Sequence, residues 1–199
     1  MDYKSINSSD YSFSHPSFDH FFKLFVSKYQ NSSSKTCKII SSKLKLLSIQ
    51  KKNDLLSIDV EFLPESNSFY NFILDLDILA KNTIIQNGDS WFGTSLNNIT
   101  IENLFKKNIQ NPKNIPALPF FTLYFFNEDL IKIKNKKKSL NYKDLKENME
   151  IEVQFYINGI HLDKHKCNVV LILEEIKIIS ETCQSFECLF NNLEYSEDV

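Results

Sequence analysis

A chain of 199 residues that is 42% hydrophobic and 24% charged can bury one sizeable core, which excludes disorder over most of its length. Its net charge of −2 excludes a uniformly basic surface, so a polyanion would have to be held by a local patch. Three glycines in the whole chain exclude a backbone-cradled nucleotide loop, and no Gly-x-Ser-x-Gly or His-Glu-x-x-His pattern offers hydrolytic chemistry.

Residues 1–16 are polar and aperiodic, which predicts a flexible tail. Phe18, Phe21, Phe22, Phe25 and Tyr29 then recur at helical spacing behind Ser17, a residue suited to an N-cap. The spacing predicts an amphipathic helix over 17–30 whose aromatic stripe packs on the domain's own sheet or docks a partner. From Cys37 to Lys81 the pattern predicts strands. Ile58, Val60 and Phe62 alternate with Ser57, Asp59 and Glu61, and Phe72, Leu74, Leu76 and Ile78 oppose Asp75 and Asp77.

Trp91, the single tryptophan, stands between Gly88 and Gly93 in what reads as a loop, either plugging one end of the fold or holding its indole out for a ligand. Ile101, Leu104, Phe105 and Ile109 predict one inserted helix, with Lys106 and Lys107 near its end and Pro112 stopping it. Strands are expected again at 120–126, 130–134, 150–157 and 167–180. Asn158-Gly159 signals either a tight hairpin or a glycine bulge, the reversal in the second case falling at Asp163–Lys166. Residues 181–199 form an acidic C-terminal tail. The expected fold over 17–180 is a single mainly β (α+β) domain, an antiparallel OB-like barrel or sandwich with an N-terminal helix and one inserted helix.

Candidate chemistry is sparse. Asp75 and Asp77 on one strand face could share a metal, and His161, His165 and Cys167 are borderline ligands without a fourth, so no metal and no cofactor are expected. Cys37, Cys167, Cys183 and Cys188 contain no Cys-x-x-Cys, and no leader segment is evident, which predicts reduced thiols in a cytoplasmic setting. No apolar run is long enough for a membrane span. Binding chemistry is better represented. Lys132, Lys134, Lys136, Lys137 and Lys138 make a basic turn, and Lys164 and Lys166 flank a second. Trp91, Tyr124, Tyr156 and His161 supply rings on which bases could stack if folding gathers them beside the lysines.

The order of "SWFG" (Ser90–Gly93) before a helix, then "LYFF", then the Asp144–Met149 turn and the Gly159–Ile160 step before a long last strand, resembles OB-fold-like single-stranded DNA-binding proteins. These are proteins of large DNA viruses and related AT-rich cytoplasmic replicons, and the likeness covers roughly residues 40–180. The resemblance implies a non-enzymatic viral protein that coats single-stranded DNA, or RNA, during replication or recombination in the host cytoplasm or a viral factory. The competing expectation is a viral structural protein, or a homo-oligomer, assembling through the Phe-rich helix or a sheet edge.

Overall fold

The computed structural model describes residues 2–6, 11–20, 24–31, 36–52, 55–93, 97–112, 118–125, 131–135, 138–163 and 165–181. Among them the strands are β1 (Tyr11–Phe13), β2 (Ser17–Asp19), β3 (Leu24–Asn31), β4 (Lys38–Ile40), β5 (Leu44–Lys52), β6 (Leu55–Phe62), β7 (Phe120–Phe125), β8 (Lys132–Asn135), β9 (Lys138–Ser139), β10 (Glu150–Leu162) and β11 (Cys167–Ser180). The helices are α1 (Asn67–Phe92) and α2 (Asn98–Leu104), both between β6 and β7.

The alternating strands behave as their pattern requires. Leu44, Leu46, Ile58, Val60, Phe121, Leu123, Ile151, Val153, Phe155 and Ile157 are all buried, and the residues between them form the opposite face. Pairing runs β10–β5–β6–β7–β11 and returns to β10, so five strands form a hydrogen-bonded ring around this core. Strand β10 is its spine. One edge pairs with β11 throughout, while the other takes β5 at Glu150–Ile151, β4 at Gln154–Tyr156 and β3 at Gly159–Leu162. The orientation is mixed, correcting the antiparallel expectation, because β7 and β8 both run parallel to β11. A parallel neighbour requires a long crossover, and β8, β9 and β10 lie in the one from β7 to β11, whereas α1 and α2 connect β6 to its antiparallel neighbour β7.

Of the two readings of Asn158-Gly159, the bulge is the one observed. Gly159 has φ 138° at a register shift in β10, and the chain reverses at Asp163–Lys166, where the Asp163 N–H donates to the Lys166 carbonyl at 2.9 Å.

Three local expectations are corrected. Residues 1–16 are not a free tail where they are described. Tyr3 is buried against Phe69, with its hydroxyl 2.6 Å from Ser68 Oγ, and Phe13 joins the core from β1. The helix expected over 17–30 is replaced by β2 and β3, with Phe21 and Phe22 outside the described residues. Aromatic and β-branched residues suit a strand better than a helix, and the edge of β10 supplies the hydrogen bonds that a short isolated helix would have to supply to itself.

The third correction is opposite in sense. Residues 69–81, expected as a strand, belong to α1. Alternation over Leu74–Ile78 is too short to decide, whereas Phe69, Ile73, Leu76, Ala80 and Ile84, all buried, keep the spacing of one helix face over four turns. Phe69 sits at the centre, its ring 5.9 Å from Phe121 and 6.1 Å from Phe155. Helix α2 stops at Leu104, short of the predicted end before Pro112.

The paired glycines beside Trp91 therefore belong to a helix and its end. Gly93 (φ 67°) is the left-handed C-cap of α1, and its N–H donates to the Asp89 carbonyl at 3.0 Å. Gly88 lies on the buried face, where an added Cβ would meet nothing within 4 Å. Gly88→Ala is expected to stabilise the protein by about 0.5–1 kcal/mol, read as a higher urea midpoint at unchanged slope.

Candidate nucleic-acid interface

The face of the ring strands turned away from the core carries one transverse row of residues in register. It runs Gln50, Ser57, Tyr124, Ile172, Tyr156 and Lys38 across β5, β6, β7, β11, β10 and β4. Tyr124 is half-buried at the junction of two adjoining recesses. One, of about 170 Å³, is walled by Leu24, Leu55 and Val170 and rimmed by His161, Asp163, Lys166 and Asn168. The other, of about 130 Å³, is lined by Lys106, Lys107, Asn108, Gln110 and Thr122. Both share Tyr124, Lys166 and Asn168, so together they form one groove with the tyrosine near its middle.

The lysines reach this groove from distant parts of the chain. After α2 the backbone runs as a strap. Phe105 bridges Cys167, the Lys106 N–H donates to the Cys167 carbonyl at 2.8 Å, and Gln110 bridges Phe120. Asp77, buried on α1, holds the middle of the strap, accepting from the Asn108 N–H at 2.8 Å and the Asn108 amide at 2.7 Å. Burial pushes the Asp77 carboxyl up, while the two Asn108 hydrogen bonds pull it down. Lys106 and Lys107 are thereby presented beside Lys166, which follows the β10–β11 reversal.

Among the described residues none of these three lysines is in an ion pair, whereas Lys28, Lys38, Lys43, Lys45, Lys81, Lys134 and Lys177 all are. The groove also holds Asp163, and Asp59 lies beneath Thr122, accepting from its hydroxyl at 2.7 Å and from Ser48 at 2.9 Å. Burial, then the Asp59 charge, pushes the Tyr124 phenol up, so it stays a neutral ring and donor at neutral pH.

The residues predicted for binding separate accordingly. Tyr124, His161 and Lys166 are brought together in the groove. His161 is not a cation there. Its ring is buried, with Nε2 2.8 Å from the Asn158 amide nitrogen, and its pKa is pushed down to about 4 by burial and then by Lys28, with Asp19 opposing and Lys166 adding. The unfolded chain therefore takes up this proton more readily than the folded one. His161 contributes fully to stability above about pH 6.5, and the contribution, up to about 3 kcal/mol, is lost as pH falls towards 4. His161→Gln should flatten that acid limb, as read by urea unfolding at pH 4.5 and 7.

Tyr156 shares the row with Tyr124 but not the groove, and after burial its phenol is pushed up by Glu174 and Asp19, neighbours that repel a polyanion. Trp91 is half-buried on the last turn of α1, about 20 Å along the helix axis from Asp77 and its strap. Its indole packs on the core, neither plugging a barrel end from a loop nor lining the groove.

Lys132 and Lys134 are exposed on β8, in register with Glu175 and Lys177. That is about 30 Å of strand from Lys166, and Lys134 is paired to Glu175 at 2.8 Å. Lys132 and Lys134 thus do not share one wall with Lys166. Lys136, Lys137 and Lys164 lie outside the described residues, and Lys138 is described only as backbone.

The partner stripe is divided as well. Phe18 and Phe25 stay exposed, stacked edge to face at 5.6 Å. Tyr29 is buried between Tyr11 and Phe13, with its phenol pushed up to about 12 by burial and then by Cys37 and Tyr11. Alternation along β3 points Phe25 to the face opposite Leu24, and so away from the groove.

The metal candidates separate too. Asp75 is exposed and Asp77 buried, because positions two apart on a helix diverge. Cys167 faces the core, its thiol pushed up to about 11 by burial. Among the described residues no group of His, Cys, Asp and Glu is placed to hold a metal ion, and no helix is long and apolar enough to cross a membrane.

Lys106 and Lys107 line the groove without having been expected there, because they read as the basic end of a helix. The available signal was the Lys- and Asn-rich stretch "KKNIQNPKN", which is too polar to continue the apolar stripe.

No known protein family matches the sequence, and no curated protein does. Solved structures do share the fold. The single-stranded DNA-binding protein from bacteriophage Enc34 superposes with a TM-score of 0.51 at 8% identity, covering 78% of this chain and 86% of its own. The crystal structure of gp2.5, a single-stranded DNA binding protein encoded by bacteriophage T7, gives 0.52 at 9% identity over 83% and 99%. The chain has the fold of these phage proteins, as the resemblance in its sequence implied.

Proposed function

We propose that this protein is a non-enzymatic single-stranded DNA-binding protein of viral origin that coats DNA during replication or recombination in the host cytoplasm. The observation that carries this reading is the groove, where three lysines that are in no ion pair among the described residues flank a tyrosine on a fold shared with phage single-strand binders. In this reading the five-strand ring is an OB-like barrel, whose outer face takes the strand. Lys106, Lys107 and Lys166 neutralise successive phosphates, and Tyr124 stacks on a base. Asn108, Gln110 and Thr122 supply hydrogen bonds that any base or sugar can use.

Titration of a labelled thymidine oligonucleotide at low and moderate salt tests the reading. Binding at low salt that falls steeply as salt rises is expected, and no binding under either condition ends it. Within that assay, Tyr124→Ala should cost about 1–3 kcal/mol of affinity while Tyr124→Phe keeps most of it, because stacking needs the ring and not the hydroxyl.

A further inference from the structure

The larger recess differs from the rest of the groove in having apolar walls. Leu24, Leu55 and Val170 line it together with Tyr124, and Asp163 and Asn168 add polar groups. A phosphate gains nothing from such walls, whereas a base turned out of the strand gains burial and stacking there. We propose that this recess takes one base of the bound strand and that Asp163 and Asn168 make it favour guanine. The proposal rests on the single-strand reading above.

The chemistry follows from the edges of the bases. Guanine alone presents two adjacent N–H donors, N1–H and the 2-amino group, next to a carbonyl oxygen. A carboxylate accepts both donors side by side, as Asp163 can. The Asn168 side-chain nitrogen commits one hydrogen to the Val169 carbonyl at 3.2 Å, and its second is available for guanine O6. Thymine would instead turn carbonyl oxygens towards the carboxylate on both sides of its single N–H. Adenine and cytosine each offer one amino group beside an acceptor nitrogen. The backbone that carries the two side chains is fixed because Leu162 pairs with Cys167, His161 pairs with Asn168, and the Asp163 N–H closes the turn on Lys166.

The test uses the full chain and a thymidine oligonucleotide in which one central position is replaced in turn by guanine, adenine, cytosine or hypoxanthine. Affinity is measured by fluorescence anisotropy at moderate salt. Guanine should bind about tenfold more tightly than thymine, and hypoxanthine, which lacks the 2-amino group, should lose most of that advantage. Asp163→Asn should abolish the guanine preference while leaving or raising affinity for the all-thymidine strand, since it removes a negative charge from the groove. A purely electrostatic role for Asp163 would raise all affinities equally and would overturn the assignment. Equal affinity for every base, with thymidine binding intact, overturns the base pocket and leaves the single-strand reading standing. Absence of binding to any oligonucleotide overturns both.

Discussion

Changing Lys106, Lys107 and Lys166 together to Gln is expected to weaken single-stranded DNA binding by about 100-fold at 0.1 M salt. The slope of log affinity against log salt should flatten by about 2. Each ammonium that meets a phosphate releases a condensed counterion, and for single strands each contact contributes about 0.7 to the slope, so three contacts account for both numbers. The three lysines are exposed and make no ion pairs among the described residues, so the variant should unfold at nearly the wild-type urea concentration. Lys132 and Lys134 provide the comparison. Lys134 already faces Glu175, and both stand far along β11 from the groove, so changing this pair should leave slope and affinity almost unmoved. If the pair matters more than the triple, the strand runs along the β8 side and the groove is misassigned.

Gly159→Ala is expected to destabilise the fold by about 4 kcal/mol or more. An added Cβ would lie 2.1 Å from the Ser27 carbonyl oxygen and 2.9 Å from the Lys28 Cα, both backbone atoms that cannot rotate away. The φ of 138° is also a conformation that side chains with a Cβ rarely adopt. Relief requires β3 to leave the edge of β10, which uncovers Val26 and removes Leu24 from the groove wall. Gly93→Ala makes the contrast. There φ is 67° but nothing lies within 4 Å, so only the left-handed backbone penalty of about 1 kcal/mol applies. Urea unfolding should separate the two variants clearly, and a Gly159→Ala protein as stable as Gly93→Ala would show that β3 does not press on β10 as described.

The resemblance noted in the sequence and the superposition on phage proteins agree on the fold, although the motifs carrying the former have changed meaning. "SWFG" closes a helix instead of forming a loop, with Gly93 as its cap and Trp91 packed inward. "Gly-Ile" at 159–160 marks the point where β3 crosses closest to the spine. In both places the glycine is explained by backbone conformation or approach, and neither contacts the candidate groove.

What the sequence determined by itself was the β-rich single core and the strands β5, β6, β7, β10 and β11. Alternation between a dry and a wet face, or for β11 a continuous apolar run, is a local property, and it needs no knowledge of which strand lies next door. Tertiary structure decided the rest. Residues 17–30 and 69–81 each satisfied a pattern for the wrong element, and the open edge of β10 and the space across Phe121 and Phe155 favour a strand for the first and a helix for the second. The groove was decided in the same way. Lys106, Lys107, Tyr124 and Lys166 carry no shared spacing along the chain. They meet because a backbone strap is stitched to Cys167 and clamped by a buried Asp77, and such contacts exist only once the chain has closed on itself.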